Sequence, residues 1–441
     1  MAREILDAIK AAGVVGAGGA GFPTHVKADA QVDTVIANGS ECEPMLYSDQ
    51  SLMEQHPREI LGGLQLLMET TGASRGVIAL KEKYAAQVKR FQELCAEDDS
   101  LSVKTLGNFY PSGDEQSMVY EATGRIVPEG GIPLNVGVVV DNVETLYNIF
   151  HATMGEPVTH RTVTVTGSVK DPGVYRFPIG TPVWRAVEIA GGATVEEPAV
   201  IDGGPMMGAV SFDLNGAVRK TTSGLIVLPN DHHHVQRRTM PTNMEMIRSI
   251  SMCCQCRECT DLCPRYQLGH DLEPHKVMRA IITRSQDPSY QITQAHICCL
   301  CGICETIACP LDLSPRNVFA QVRTQLREQG IPNPHHRAPD KVRVSYDYTK
   351  IPKDRVLARC GLTEYHSHPP YRGESPAINR VEIALQQHIG APAAPVVAVN
   401  KKVAVGDVIA RPPEGKLGAL IHASINGVVT QVSNKRIVIE G

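Results

Sequence analysis

Over the first 150 residues, short apolar runs alternate with segments of helical period. Asp33-Thr-Val-Ile-Ala37 and Gly76-Val-Ile-Ala-Leu80 are brief runs with polar or glycine borders, and Leu101–Leu106 reads as a third strand. Between them, Arg58–Glu69 carries Ile60, Leu61, Leu64 and Leu67 at helical spacing, and Tyr84–Ala96 reads as a second helix. Strands alternating with helices predict a parallel sheet covered on both faces.

After residue 160 the period changes. Thr162-Val-Thr-Val-Thr-Gly167 alternates with period two, Asp171-Pro-Gly173 signals a turn, and Val174-Tyr175 begins a return strand. Pro182–Ala190 reads as a short helix stopping at Gly191-Gly192. Hairpin, helix and further strand predict a compact α+β module of β-grasp type. Asn230–Asn243 reads as a polar linker holding His232, His233 and His234. A cysteine-rich segment with helices at His275–Ile282 and Asn317–Glu328 comes next. Residues 331–380 are rich in Pro, His, Arg and Tyr, lack a period, and read as an extended connector. In the last segment, Val396–Val405 and Gly427–Ile439 are β-rich, with turns at Gly406-Asp407 and Asn426-Gly427. Its paired halves predict a flattened barrel of two similar hairpins.

Composition narrows the function. The 441 residues carry 43 basic and 47 acidic side chains, a formal net charge of −4, which argues against nucleic acid as the main partner. No stretch approaches the ~20 apolar residues of a membrane helix, and Met1-Ala-Arg-Glu-Ile-Leu lacks the apolar core of a signal peptide. The expectation is a cytoplasmic chain with reduced thiols. Ten of the 13 cysteines fall between Cys253 and Cys309, and such clustering points to metal rather than disulfides.

Cys253, Cys256, Cys259 and Cys263-Pro264 follow the ferredoxin spacing C-x2-C-x2-C-x3-C-P. Cys298, Cys301, Cys304 and Cys309-Pro310 repeat it with one extra residue before the last cysteine, which would lengthen the exit loop. In two-cluster ferredoxins the fourth cysteine of each run serves the other cluster. Applied here, one [4Fe–4S] cluster takes Cys253, Cys256, Cys259 and Cys309, and the other takes Cys298, Cys301, Cys304 and Cys263. Zinc, which favours two separated C-x2-C pairs, is the alternative. Cys254 and Cys299 are left over beside the first ligand of each run. Cys42, Cys95 and Cys360 stand alone, the last two reading as structural.

Gly16-Ala-Gly18-Gly-Ala-Gly21 fits G-x-G-x-x-G, but the preceding Arg3–Ala12 is helical, with Ile5, Leu6 and Ile9 on one face. A dinucleotide fingerprint needs a strand there. A phosphate-holding loop and a plain turn both stay open. The longer string Gly16-Ala-Gly-Gly-Ala-Gly-Phe-Pro-Thr-His-Val-Lys27, followed by Asn38-Gly-Ser-Glu-Cys-Glu-Pro44, resembles the FMN-binding subunit of respiratory complex I and, more closely, the C subunit of Rnf electron-transport complexes. Tyr110-Pro-Ser-Gly-Asp-Glu115 and Asp141-Asn-Val-Glu-Thr145 fall at that family's third and fourth FMN segments. Val165–Gly173 and Gly203-Gly-Pro-Met-Met-Gly208 resemble its β-grasp (SLBB) domain. His388–Pro392, Val403–Ala410 and His422–Val429 resemble the lipoyl-like barrel of the Rnf subunit, without a lipoyl or biotinyl lysine motif. There the barrel precedes the FMN domain; here it follows. That permuted order resembles the cobalamin reductases of propanediol-utilisation microcompartments.

The resemblance implies a multidomain α/β protein. A Rossmann-like FMN/NADH-binding domain would span 1–155, an SLBB β-grasp domain 160–229 and a helical two-[4Fe–4S] ferredoxin-like domain 245–330. An extended connector over 331–385 would lead to a barrel-sandwich hybrid domain over 386–441. It implies that Gly16, Gly18, Gly19 and Lys27 cradle FMN, and that Asn38, Ser40, Glu41, Asp141, Asn142 and Thr145 bind the rest of the flavin. Gly113, Asp114 and Glu115 would line the nicotinamide side, and Phe22 and Glu43 would contact NADH. Ser40 stands where complex I has Asp, Asp141 where it has Asn, and Ala30 where it has an adenine-stacking aromatic.

The implied activity passes electrons from NADH through FMN and two [4Fe–4S] clusters to cob(III)alamin and cob(II)alamin. The product, cob(I)alamin, would feed an adenosyltransferase that renews coenzyme B12 for diol dehydratase. No general acid or nucleophile is required. Shell proteins of a bacterial microcompartment are implied partners, and Arg3–Ala12 reads as a first helix or a targeting helix. No residue declares a corrinoid site; His232–His234, His335-His336 and His366-x-His368 offer imidazoles without selecting one. Two other functions fit the same parts: the NADH-oxidising input subunit of an Rnf-type membrane complex, and a non-catalytic electron wire.

Overall fold

The computed structural model describes residues 1–282 and 290–441. Helix α1 (Ala2–Ala11) buries Ile5, Leu6 and Ile9, and α2 (Thr24–Lys27) follows the glycine loop. Strand β1 (Thr34–Gly39) leads through α3 (Ser48–Gln55) and α4 (Pro57–Thr71) to β2 (Arg75–Lys81). From there α5 (Ala85–Cys95) leads to β3 (Leu101–Leu106), a short β4 (Phe109–Tyr110), α6 (Glu115–Thr123), β5 (Val138–Asn142) and α7 (Val143–Thr153). The sheet is wholly parallel, in the order β3-β2-β1-β5. The chain winds outward from β1 to β3 and then returns to the other side of β1. That reversal opens a crevice at the carboxyl ends of β1 and β5, where open α/β sheets bind ligands. Gly63 lets α4 lie against α7, since a Cβ there would stand 1.9 Å from the Leu146 carbonyl oxygen.

β6 (His160–Gly167) and β7 (Gly173–Pro178) form the antiparallel hairpin. α8 (Val183–Ile189) is stopped by Gly191 and Gly192, both at positive φ. β8 (Pro198–Asp202), β9 (Ala209–Ser211) and β10 (Gly224–Pro229) complete the module, β10 running parallel to β6.

The stretch expected to be a polar linker is instead a packed bridge. It forms α9 (His233–Arg238), and His234 is buried with Nε2 2.9 Å from the Pro205 carbonyl. Burial pushes the His234 imidazole down to about 3, so it stays neutral. Arg238 donates to the carbonyls of Pro205, Met206 and Gly208 at 2.6, 2.7 and 2.6 Å, and Arg237 reaches the Glu305 carbonyl. The polar side chains here satisfy backbone rather than solvent. The cysteine segment follows with α10 (Thr242–Met252), α11 (Glu258–Asp261), α12 (Pro264–Gln267), α13 (Pro274–Ile282), α14 (Tyr290–Thr293) and α15 (Pro315–Glu328).

The expected connector also carries elements. β11 (Ile351–Pro352) pairs with β4, and α16 (Lys353–Arg359) follows. β12 (Tyr371–Glu374) joins β7 at the sheet edge, giving the order β12-β7-β6-β10-β8-β9. β13 (Arg380–Ala384) already belongs to the C-terminal unit, because Val381 and Ile383 alternate inward. β14 (Ala394–Pro395), β15 (Lys402–Val403), β16 (Val408–Arg411), β17 (Ile421–His422), β18 (Gly427–Val432) and β19 (Arg436–Glu440) complete it. Its two sheets, β13-β19-β18-β15 and β14-β16-β17, enclose Ile409, Val429, Ile437 and Ile439, in one core with α1. Among the described residues no helix is long and apolar enough to cross a membrane.

Candidate flavin crevice and cysteine centres

The glycine loop follows a helix, so it lacks the strand a dinucleotide fingerprint requires. It is cinched at Ala17: the amide donates to Thr145 Oγ1 at 2.9 Å, and the carbonyl accepts from Arg161 at 2.8 Å. Beyond that anchor the loop is open. A Cβ on Gly18 would touch only Asn142, and one on Gly19, at φ +108°, would meet nothing within 4 Å. Asn142 caps α7 by accepting from the Glu144 amide at 2.8 Å, so a helix N-terminus faces the same opening.

The strand ends supply the polar floor. Ala37 and Asn38 of β1 lie beside Asp141 and Asn142 of β5. Lys27 Nζ reaches the Val140 carbonyl and lies 3.4 Å from both Asp141 and Glu115. Asn38 donates to the Gly113 carbonyl at 3.0 Å, and Ser40 meets Ser112 at 2.7 Å. Asn142 donates to Asp49 at 2.8 Å, and Glu41 accepts from the Ser48 amide at 3.0 Å. Burial pushes the Asp141 and Glu41 carboxyls up; Lys27 opposes this at Asp141 and Lys353 at Glu41. One carboxylate oxygen of each is buried without a partner. The hydroxyls and ring N–H of a flavin are donors of the kind those oxygens lack, and the open glycine loop suits a phosphate. These residues fit FMN.

Two of the expected NADH-side residues already have protein partners. Glu43 is turned toward the loop after β8: its Oε2 accepts from the Met206 amide at 2.8 Å, and a Cβ on Gly204 would lie 2.3 Å from it. Asp114 caps α6 through the Ser117 amide at 3.0 Å and takes a two-pronged contact from Arg265 at 2.6 and 2.8 Å. Phe22 is half-buried, its carbonyl accepting from the Gly16 amide at 2.8 Å.

The eight spaced cysteines gather into two sets. Cys253, Cys256, Cys259 and Cys309 line one cavity together with Cys254; Cys263, Cys298, Cys301 and Cys304 line another together with Cys299. The extra residue before Cys309 does not lengthen the exit loop. Cys304–Ala308 forms a π-helical turn that absorbs it, as π-bulges do. In both runs the residue before the second cysteine and the residue after it are left-handed: Gln255 and Arg257 at φ +59° and +74°, Leu300 and Gly302 at +57° and +81°. Three of these four are not glycine, and each non-glycine costs ~1–2 kcal/mol. Such turns aim successive amides inward toward negative charge. The Leu300 and Leu313 amides donate to the Cys298 and Cys309 sulfurs at 3.4 Å, and the Gln255 side chain to Cys253 at 3.2 Å. Among the described residues no three His, Cys, Asp or Glu side chains converge tightly enough for a single ion; the cysteines are spread around cavities instead. This donor set fits iron–sulfur clusters. Cys95 and Cys360 are buried, and Cys42 lies against Gly113.

Four family models match the chain in succession: the Nuo51 FMN-binding domain over 9–151, the SLBB domain over 162–210, a 4Fe-4S dicluster domain over 252–314 and the RnfC barrel sandwich hybrid domain over 373–440. Cobalamin reductase PduS of Salmonella typhimurium is 42% identical over 440 residues, 99% of this chain and 96% of that one. The chain belongs to the cobalamin reductase PduS family. PduS of Citrobacter freundii is 40% identical over 444 residues, with the same coverage. The C subunit of the Na(+)-translocating ferredoxin:NAD(+) oxidoreductase complex of Acetobacterium woodii is 36% identical over 268 residues, 58% of each chain. In this PduS-family chain the barrel model matches last.

Sequence reasoning missed several buried charges around these sites. Arg161 pairs with Glu144 at 2.5 Å, Lys220 donates to the Gly13 and Leu420 carbonyls at 2.6 and 2.9 Å, and Lys353 donates to the Glu41 carbonyl at 3.3 Å. Apart from the Arg161–Glu144 pair, the partners lie more than 190 positions apart, and no local pattern marks them. Two of the candidate histidines have side-chain partners within the protein: His335 meets Thr293 at 3.0 Å and His366 meets Tyr47 at 2.7 Å.

Proposed function

We propose that this chain is an NADH-dependent flavin and iron–sulfur cobalamin reductase. It reduces cob(III)alamin and cob(II)alamin by single electrons to cob(I)alamin, the form an adenosyltransferase consumes. The observation that carries the reading is the full-length likeness to cobalamin reductases, in a chain that holds a flavin-type crevice and two four-cysteine sets. When bound, FMN would take one hydride, two electrons, from NADH and supply them one at a time, and [4Fe–4S] clusters would carry single electrons. Gly16, Gly18, Gly19 and Lys27 hold the phosphate and ring of FMN. Asn38, Ser40, Glu41, Asp141, Asn142 and Thr145 hold the remainder, with Gly113 and Glu115 beside the nicotinamide; Phe22 completes the NADH side. Cys253, Cys256, Cys259 and Cys309 bind one cluster, and Cys263, Cys298, Cys301 and Cys304 the other. The protein works in the cytoplasm, inside a propanediol-utilisation microcompartment, with the adenosyltransferase and shell proteins as partners.

The test is anaerobic. NADH is added to the purified protein and the visible spectrum is followed before and after cob(II)alamin, with an alkylating agent trapping cob(I)alamin. Bleaching followed by trapped cob(I)alamin is expected. Bleaching without corrinoid reduction would overturn the acceptor and favour an Rnf-type input subunit. No bleaching with flavin and clusters intact would overturn NADH as donor.

A further inference from the structure

Two contacts join the crevice to one cysteine set. Tyr110 and Asp114 stand on the segment whose Gly113 carbonyl is held by Asn38 in the flavin floor. The Tyr110 hydroxyl donates to the backbone carbonyl of Cys301 at 2.7 Å, and the Asp114 carboxylate takes both arms of Arg265. Arg265 follows Cys263, a member of that cysteine set, by two residues. The side chains of Arg265 and Asp114 are only 8% and 14% exposed, so solvent does little to screen them. The other cysteine set has no such bond to the crevice segment among the described residues, and it lies nearer solvent: Cys254 and Cys256 are exposed, whereas Cys263 and Cys301 are buried.

We propose that Arg265 and Asp114 are a positioning pair that makes the Cys263/Cys298/Cys301/Cys304 cluster the first to take electrons from the flavin side, with the Arg265 charge raising its reduction potential. The other cluster, nearer solvent, passes electrons outward. This rests on the assignment of the eight cysteines as cluster ligands. A cluster gains one negative charge on reduction. A fixed guanidinium beside it stabilises that reduced state, and the neighbouring carboxylate offsets part of the effect. The two halves of the pair therefore act with opposite sign.

The experiment is an EPR-monitored redox titration of the intact, cluster-loaded protein as Arg265→Gln, Arg265→Lys and Asp114→Asn variants. The Cys263-side signal is identified by its loss in Cys263→Ser. Arg265→Gln should shift that cluster to a more negative potential, and Asp114→Asn should shift it to a more positive one. Arg265→Lys, which keeps the charge, should stay near wild type, and the other cluster should not move. Shifts of the same sign, or a shift in the other cluster instead, would overturn the proposal. If Arg265→Gln loses iron, Asp114→Asn and Arg265→Lys still decide the sign. Wild-type protein without two cluster signals would sink the ligand assignment rather than this pair.

Discussion

Replacing Arg161 by methionine tests how the flavin crevice is held. Arg161 and Glu144 are 2% and 4% exposed, and their charged atoms lie 2.5 Å apart, in contact but not aligned as a hydrogen bond. Arg161 also donates to the Thr222 and Ala17 carbonyls, both at 2.8 Å, while Glu144 accepts from the Thr162 amide at 3.0 Å. One guanidinium thus ties the glycine loop, α7 and β6 together. Its removal strands a buried carboxylate, a loss of ~3–5 kcal/mol. For a cooperative unit of ~150–250 residues that corresponds to a fall in Tm of ~6–20 °C. Freeing the Ala17 carbonyl costs ~1–3 kcal/mol where FMN binds, or roughly 5- to 150-fold in FMN affinity. Anaerobic thermal melts and titration of the deflavinated protein with FMN, read by flavin fluorescence, measure both. Arg161→Met/Glu144→Leu should recover much of the lost stability, because it leaves no unpaired charge. A Tm change under ~2 °C with unchanged FMN affinity, or a double variant no better than the single, would refute the reasoning.

Three other outcomes follow from the same structure. Cys309→Ser and Cys253→Ser should abolish one EPR signal and Cys263→Ser and Cys298→Ser the other, with Cys254→Ser keeping both; if Cys309→Ser removes the Cys298 signal, the crossed pairing is wrong. Burial pushes the Lys220 ammonium down to about 7, whereas an unfolded lysine titrates near ~10.4. Between those values the unfolded chain binds more protons, so the stability lead of wild type over Lys220→Met should widen from pH 7 to pH 10 in urea melts and stay flat below pH 7. Gly63→Ala should lower Tm, since its methyl meets the Leu146 carbonyl oxygen at 1.9 Å and such overpacking costs ~1–3 kcal/mol; an unchanged Tm would mean that α4 and α7 separate freely.

What could be read from the sequence was whatever is encoded locally. The strands at 33–37 and 76–80 carry their own apolar runs, and the cysteine spacing carries its own geometry. Non-local pairing was hidden. Residues 230–243 are polar by composition, yet His234, Arg237 and Arg238 spend that polarity on carbonyls of the loop after β8 and of the cysteine segment. β12 has no apolar alternation because it is an edge strand added to a finished sheet. Asp114 was placed on the nicotinamide side by the family resemblance, not by any local pattern. The Arg265 that binds its carboxylate lies 151 positions away.

The C-terminal unit touches the glycine loop directly: the Ile389 amide donates to the Gly21 carbonyl at 2.9 Å, and Lys220 fastens Gly13 to Leu420. This sets a timetable for biosynthesis. At ~5–20 residues per second, about 20–75 s separate translation of the loop from translation of the segment that braces it. Throughout that interval the nascent chain has its glycines but not their outer support. A loop braced on both sides for flavin exists only once the segment around Ile389 and Leu420 has been made.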